Sequence, residues 1–549
     1  MSLKPAVPSD IPELTQHVAR AAFPKGCVAM RLRDEFGTLY QDADFADLFP
    51  KRGQPALPAW RLALVTVLQF LENVSDRQAA NHVRGRIDWK YALGLELHDA
   101  GFHFSVLSEF RARLVNGEAE YRLLDRMLAH FQDRGLVKAR GKQRTDSTHV
   151  LGAVRDLHLA ELVGETLRAT LNELADLVPE WLIGVAQPQW FKRYAHRVED
   201  TLLPKTEAKR RLYVLDIGAD GFALLDALDA PNAPCEAQKA TRVALLRQVW
   251  DTHFDRSSGA LRWKEGTEFP PVGERIQSPY DPEMHFSTKR STEWSGYKVH
   301  LTETCDDDEA HVVTHVHTTA AMDYDGSSTS VIHDKLAAKN LLPSEHFVDA
   351  AYTDAEVLVS SAKEHGIELM GPIRQVSTWQ SRQGLGYDTP QFHIDWEQQH
   401  ATCPQGKISG SWRPGYNEVK HPIIRIRFRR SDCGTCPTRT LCTAAKDPRR
   451  TLLILHQAEY EALNAARKQM ETPTFKSSYR IRAGIEGTIS QAVHCVGLRQ
   501  SRYIGLARTR LHHVVSATAI NVSRIVAWLD GRPRAATRVS SFSRLLHAV

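Results

Sequence analysis

Cysteine is scarce in this chain. Eight residues among 549 are too few for a disulfide scaffold, and they fit a reducing compartment. Long apolar runs are missing too. No stretch reaches the roughly 20 residues that a membrane-spanning helix requires, and the opening Met1-Ser2-Leu3-Lys4-Pro5 has no secretory apolar segment. Internal repeats and low-complexity segments are absent. The last absence is local: from Arg499 to Val549 there are nine Arg, no Lys and a single acid, Asp530. A stretch so poor in compensating acids faces a polyanion more readily than a neutral partner.

What is present fits a globular protein of several domains. A length of 549 residues predicts two to four cores, and 42% apolar with 25% charged residues is ordinary for such chains. Net charge is only +5, so its distribution matters more than its size. Residues 1–140 read as helical. Pro58 precedes the apolar run Ala59–Leu71, Ser75-Asp76-Arg77-Gln78 is a capping box, and Ser105 is placed to cap a third helix over Val106–Leu114. With Arg77, Arg84, Arg86, Arg111 and Arg113 on the later helices, the spacing is compatible with major-groove binding, and equally with an ordinary bundle.

Strand patterns follow. Gln143–Leu151 alternates and carries Asp146, a residue depleted in strands. Residues of about 155–280 return to helical periodicity, as an insertion between strands. A hairpin is predicted over 294–318, a helix over Ser327–Ala338, a short strand at Phe347-Val348 ending in Asp349, and another between Gly366 and Ile373. Near the C-terminus, Ile481, Ile485 and Ile489 form a helical apolar stripe. Tyr479, Arg482 and Glu486 fall at i, i+3 and i+7, on a second face. Gly484 and Gly487 each cost such a helix about 1 kcal/mol against Ala, which is tolerable where something approaches the backbone closely.

An Asp on the first strand, an Asp ending the fourth and a Glu on a late helix make the carboxylate layout of an RNase H-like nuclease core. Thr145-Asp146-Ser147-Thr148, Val348-Asp349-Ala350-Ala351-Tyr352 and Tyr479-x2-Arg482-x3-Glu486 together resemble a bacterial insertion-sequence DDE transposase, more narrowly the insertion-sequence eleven-eighty-two group, over most of the chain. Glu161–Arg168, Ser278–Glu283, Gly296–His300 and Gly497-Leu498-Arg499 are similar as well. The resemblance implies an α/β fold: an RNase H-like mixed sheet core with helical insertions, plus an N-terminal all-α domain. The expected division is 1–140 (helical, DNA-binding), 141–375 (first part of the core, with its insertion), 376–475 (Cys-bearing insertion) and 476–549 (the Glu486 helix and a basic helical tail).

The resemblance also implies a reaction. Asp146, Asp349 and Glu486 would be catalytic and would hold two Mg²⁺ ions roughly 3.5–4 Å apart, with Mn²⁺ able to substitute. Water would cut at the transposon's terminal inverted repeats, and the freed 3′-OH would attack target DNA. Tyr479 and Arg482 would contact phosphate. A Lys that the wider family carries two turns beyond the Glu falls here on Val493, which leaves Arg499 and Arg502 as its substitutes. Asp354 competes with Asp349 as the second ligand. Partners would be double-stranded DNA and a second copy of the chain on that DNA, with no membrane. The location would be the bacterial cytoplasm, at the nucleoid when bound. A non-catalytic DNA-binding descendant and a metal-dependent nuclease without strand transfer are the rival readings.

Two further features stand apart. Cys403, Cys433, Cys436 and Cys442 cluster as a CxxC with two outliers, a donor set suited to a structural Zn²⁺, with four ordinary thiols and a redox CxxC as the alternatives, the latter without a thioredoxin-like pattern around it. The remaining four thiols, Cys27, Cys235, Cys305 and Cys495, are scattered and read as structural. Between the clustered cysteines, Arg425, Arg427 and Arg429 alternate with apolar residues, so a strand would put all three on one face, solvated or tracking phosphate.

Overall fold

The computed structural model describes residues 2–5, 8, 10–198, 203–289, 291–373, 378–380 and 386–534. Residues 535–549 of the expected basic tail, and parts of the start of the Cys-bearing segment, lie outside the described residues.

The N-terminal part is helical, as the periodicity requires. Ala59–Leu71 begins directly after Pro58, and its side chains from Trp60 to Phe70 are buried nearly all round apart from Arg61, the mark of a core helix. Before the helix Asp76–Gly85, the Ser75 hydroxyl accepts from the Gln78 amide at 3.3 Å and the Gln78 side chain accepts from the Ser75 amide at 2.9 Å. Ser105 is not a cap: it lies inside the helix Ser105–Asn116, which follows Phe104 with no side-chain cap. This helical part has one small cluster of its own, around Ala19, Met30 and Tyr91, and shares its main core with the rest of the molecule. Leu68, Phe70 and Leu124 join Val316 of the sheet and Val515 and Ile520 of the helix Leu506–Leu529 in one apolar cluster.

The central sheet is mixed. Its strands are β1 (Lys142–Leu151), β4 (His285–Lys289), β5 (Thr292–Thr304), β6 (Val313–Ala320), β7 (Glu345–Phe347) and β8 (Glu368–Met370). β1 lies between β5 (antiparallel) and β7 (parallel). β8 extends the parallel side, β6 pairs with β5, and β4 pairs with the first half of β5. The fold is therefore α/β, with three meandering antiparallel strands followed by two parallel ones. The strands fall where alternation puts them, except β4, which the sequence reading missed, and the last strand, which is shorter than expected.

Two insertions leave this sheet. The first, mostly helical, has a separate core around Leu167, Ile217, Leu246 and Trp250 and a small hairpin, β2 (Phe254–Asp255) with β3 (Arg262–Trp263). At its base the Glu165 carboxylate accepts from Arg168 Nε at 2.8 Å, from the Val198 amide at 2.6 Å and from the Tyr280 hydroxyl, while Asp281 accepts from the Tyr297 hydroxyl at 2.7 Å. The stretches Glu161–Arg168, Ser278–Glu283 and Gly296–His300 thus meet at one joint. The second insertion holds the pair β9 (His393–Asp395) and β10 (His400–Thr402), and a three-stranded sheet of β11 (Ser411–Tyr416), β12 (Pro422–Arg427) and β13 (Thr451–Ile454). The following helix, Gln457–Glu471, docks on the main sheet. Gln469 Nε2 donates to Glu368 Oε1 at 2.7 Å, and the Ile373 amide to Met470 Sδ at 3.0 Å. Among the described residues no helix is long and apolar enough to cross a membrane.

Candidate active site

Parallel pairing brings the two aspartates level. Arg144 is registered with Phe347, so two residues further along each chain stand Asp146 and Asp349. Asp146 is buried on β1, its Oδ1 accepting from the Ser147 amide at 2.7 Å. Asp349 is half-buried just past β7, and its Oδ1 accepts from the Ala351 amide at 2.6 Å. Asp354, its rival, is exposed and caps the helix Ala355–His365 by accepting from the Val357 amide at 2.8 Å. Its role is accounted for by the cap.

Glu486 comes to the same place by a different route. The segment expected to be one helix is three pieces: a helix Pro473–Tyr479, a 3₁₀ turn Arg480–Ala483 and a helix Gly484–Val496. The turn sets Arg482 between carboxylates. Its Nη2 donates to Asp146 Oδ2 at 2.6 Å and its Nη1 to Glu486 Oε1 at 3.1 Å. Arg482 and Glu486, four residues apart, thus form an ion pair that is one half of a bridge to Asp146. Glu486 itself stays 66% exposed in its side chain. Arg482 Nε is buried without a hydrogen-bond partner among the described residues, a donor that an incoming anion can satisfy. Burial pushes the Asp146 carboxyl up. Arg482 pulls it down, and the nearby charge of Asp349 pushes it up again.

Tyr479 is placed less directly. Its hydroxyl donates to the Val348 carbonyl at 3.0 Å, so it braces the chain just before Asp349. Burial, opposed by Arg482 and assisted by Asp349 and Asp146, pushes its phenol up to about 12. Of the two cations offered for the position of Val493, Arg499 is at the site: its Nε donates to Thr148 Oγ1 at 2.9 Å, on the same face of β1 as Asp146. Arg502 is engaged elsewhere, over the Phe70 ring at 5.0 Å and bonded to Asn73. Val493 packs against the main core.

Several residues of the site escaped the sequence reading. Arg144, 5% exposed, donates from Nε to Glu303 Oε1 at 2.7 Å and from Nη1 to the Ile481 carbonyl at 2.6 Å. Glu303, fully buried, also accepts from Arg524 Nη1 at 2.7 Å and from the Thr488 hydroxyl at 2.6 Å. Burial pushes its carboxyl up, but Arg524 and Arg144 together hold it below the usual range. This buried group pins the 3₁₀ turn and the Glu486 helix to β1 and β5. It also explains Gly484, where a Cβ would stand 2.0 Å from Arg144 Nη1. Gly487 has nothing near it, so the close-approach expectation holds for one glycine only. Asp325, 7% exposed, accepts from Ser147 Oγ at 3.1 Å and pairs with Lys298 at 2.9 Å. Lys298 sits in the Gly296–His300 stretch already singled out, the one signal that pointed here.

The four clustered cysteines line one cavity of about 30 Å³ in the second insertion. Burial pushes the Cys442 thiol up to about 11, with Arg450 opposing and Cys433, Cys403 and Cys436 adding. All eight cysteines are free; Cys305 is buried and Cys27 half-buried, whereas Cys235 and Cys495 are exposed. Among the described residues no three His, Cys, Asp or Glu side chains are gathered closely enough to hold a metal ion. Arg425, Arg427 and Arg429 are all exposed.

Two family models match the chain. One, described as a transposase DDE domain, covers residues 402–526, and with them the four cysteines, Arg482, Glu486 and most of the last long helix. The other, described as a transposase domain (DUF772), covers residues 21–113 of the helical N-terminal part. Both are transposase models, consistent with an insertion-sequence DDE transposase. No curated protein and no solved structure matches the chain.

Proposed function

We propose that this chain is a metal-dependent DNA transposase of the insertion-sequence eleven-eighty-two group, cutting transposon ends and joining the freed 3′-OH to target DNA. One observation carries the reading. In a chain matching transposase models at two places, Arg482 bridges Asp146 and Glu486 while parallel register sets Asp349 beside Asp146. The strand order, antiparallel then parallel about β1, supports an RNase H-like core.

The donor type suits a hard cation, because Asp146, Asp349 and Glu486 are all carboxylates, although Arg482 occupies the space between two of them. Asp146, Asp349 and Glu486 would hold Mg²⁺, or Mn²⁺ in its place, which when bound supplies charge stabilisation at the phosphate and an activated oxygen. Arg482 offers the phosphate its buried Nε and a planar fork. Arg499 adds a second cation along β1. Tyr479 holds the Asp349 segment in place. Cys403, Cys433, Cys436 and Cys442 line one cavity but are not gathered at ligand distance in this structure, so a structural Zn²⁺ there would require the four thiols to close on it. Because two ends are joined to one target, the working unit would be a homodimer on DNA, acting in the cytoplasm.

The test is strand transfer by purified protein with Mg²⁺, a labelled pre-cut end and a supercoiled plasmid. Joined product is expected from wild type and none from Asp146→Asn, Asp349→Asn or Glu486→Gln, each of which should still bind the end. Nicking without joining would leave a nuclease; binding with neither would leave a DNA-binding descendant.

A further inference from the structure

The open face of the second insertion carries a concentration of cations that its own fold does not use. Arg413 of β11 lies directly opposite Arg425 of β12 in the antiparallel register, and Arg427 faces Ser411 two pairs further on. Arg429 and Arg430 continue the row. All five are exposed, and no ion pair engages them among the described residues. They line a concave space of about 700 Å³ with the exposed ring of Tyr416 and with Arg449; Arg449 donates from Nε to Asp447 at 2.9 Å, and Arg430 is near enough to act on the same carboxylate. Like charges directly opposite across a strand pair destabilise the sheet. The other face of β12 is ordinary core, with Ile424 and Ile426 buried, so the sheet needs no arginine on its open side.

We propose that this concave face binds the sugar–phosphate backbone of the transposon-end duplex that is cut at the carboxylates. The inference rests on the DNA-cutting reading above. A duplex is the occupant that matches the charge. From Arg425 to Arg429 an extended chain spans roughly 13 Å at about 3.3 Å per residue, over which double-stranded DNA presents about eight phosphates, one per ~1.7 Å of axis. A phosphopeptide presents too few. The end duplex, not the target, is indicated by attachment. β13 runs into the helix Gln457–Glu471, which is bonded to Glu368 of the sheet and to Ile373 just beyond it and leads straight to Tyr479 and Arg482. The arginine face is thus built onto the element that presents the cutting groups.

The test uses the full chain and a linear duplex carrying the element's end, with affinity measured from 50 to 200 mM salt. Each lost phosphate contact lowers the slope of log affinity against log salt by about 0.9. The double variant Arg425→Ala, Arg427→Ala should therefore lose about 1.8 from the slope, while Arg425→Lys, Arg427→Lys keeps it. Independently of any variant, bound end duplex should shield Arg425 and Arg427 from phenylglyoxal, read by peptide mass. An unchanged slope, or full modification with the end bound, overturns the proposal. So does a loss confined to the capture of unrelated duplex by protein already holding an end, which would make this a target surface. Cleavage by wild type is followed alongside. Cutting with an unaltered slope sinks this surface alone, and a lowered slope in a protein that never cuts sinks the catalytic reading alone.

Discussion

At Arg482 one guanidinium serves two carboxylates, and this decides what its removal should do. Charge grows on the phosphate oxygens as the bond breaks, and a preorganised cation there contributes roughly 2.7–4 kcal/mol by analogy with oxyanion donors. Arg482→Ala should slow single-turnover cleavage by about 10²–10³ while weakening end binding less. Arg482→Lys should restore only part, because the planar fork is lost. An unchanged rate at saturating DNA would reduce Arg482 to a partner of Glu486. Asp146 makes a complementary case. Burial raises its carboxyl despite Arg482, so its stabilising contribution is present below the ordinary value near 3.9 and lost as pH rises through the raised value. Asp146→Asn cannot ionise. Without divalent cations, the melting temperature of the variant relative to wild type should therefore be higher at pH 7 than at pH 4, though cleavage is gone. Calorimetry at the two pH values checks the sign, and a relative fall at pH 7 would contradict it.

Among the elements, the segment 473–496 shows what sequence could and could not convey. The i,i+4 relation of Arg482 to Glu486 was legible, since it is local and follows from helical period. So were the Ser75 capping box, the 294–318 hairpin and the strand holding Asp146. The break at Arg480–Ala483 was not legible, because its cause is Arg144, more than three hundred residues away in sequence, donating to the Ile481 carbonyl at 2.6 Å. The same distance hid the reason for Gly484. Ala there would gain about 1 kcal/mol of helix propensity. It would also press on a guanidinium already committed to Glu303, and overpacking of this kind costs roughly 1–3 kcal/mol. Gly484→Ala should therefore be neutral to destabilising in urea unfolding, where propensity alone predicts stabilisation. It should slow cleavage through displacement of Arg482. The second insertion offers an independent check. Protein purified without chelator should carry about one Zn²⁺ per chain if its four thiols form a closed site. Absence of zinc, or normal folding of the double variant Cys433→Ser, Cys436→Ser, would remove that reading.

On the scale of the whole molecule, the helices before residue 140 share their main apolar core with the sheet and with the last long helix. The sequence shows their starts and stops, but periodicity says which face is apolar and not which neighbour covers it. That neighbour is largely the helix Leu506–Leu529, whose residues Leu511–Val522 are buried without interruption and whose Val515 and Ile520 join Leu68, Phe70 and Leu124. All five basic residues compatible with groove binding have partners within the molecule: Arg77 lies over Phe104, Arg84 donates to the Ala100 carbonyl and Arg113 lies over Phe49. Arg86 pairs with Glu72 and Asp88, and Arg111, 7% exposed, pairs with Asp76 at 2.6 Å. Truncation near Arg140 would open the core along Ala59–Leu71, and apolar area returned to water costs about 25 cal/mol per Å². A fragment of residues 1–140 should thus keep helical circular dichroism but melt without a sharp transition and bind a hydrophobic dye, the signature of lost tertiary packing. Its footprint on the transposon end should be weak or absent. Restoring residues 484–534 in trans should sharpen the melt, because it returns the missing face. A fragment that unfolds cooperatively by itself and protects the end as the full chain does would show that these helices form an autonomous DNA-binding domain, and that their packing against Leu506–Leu529 is a docking contact between two finished bodies.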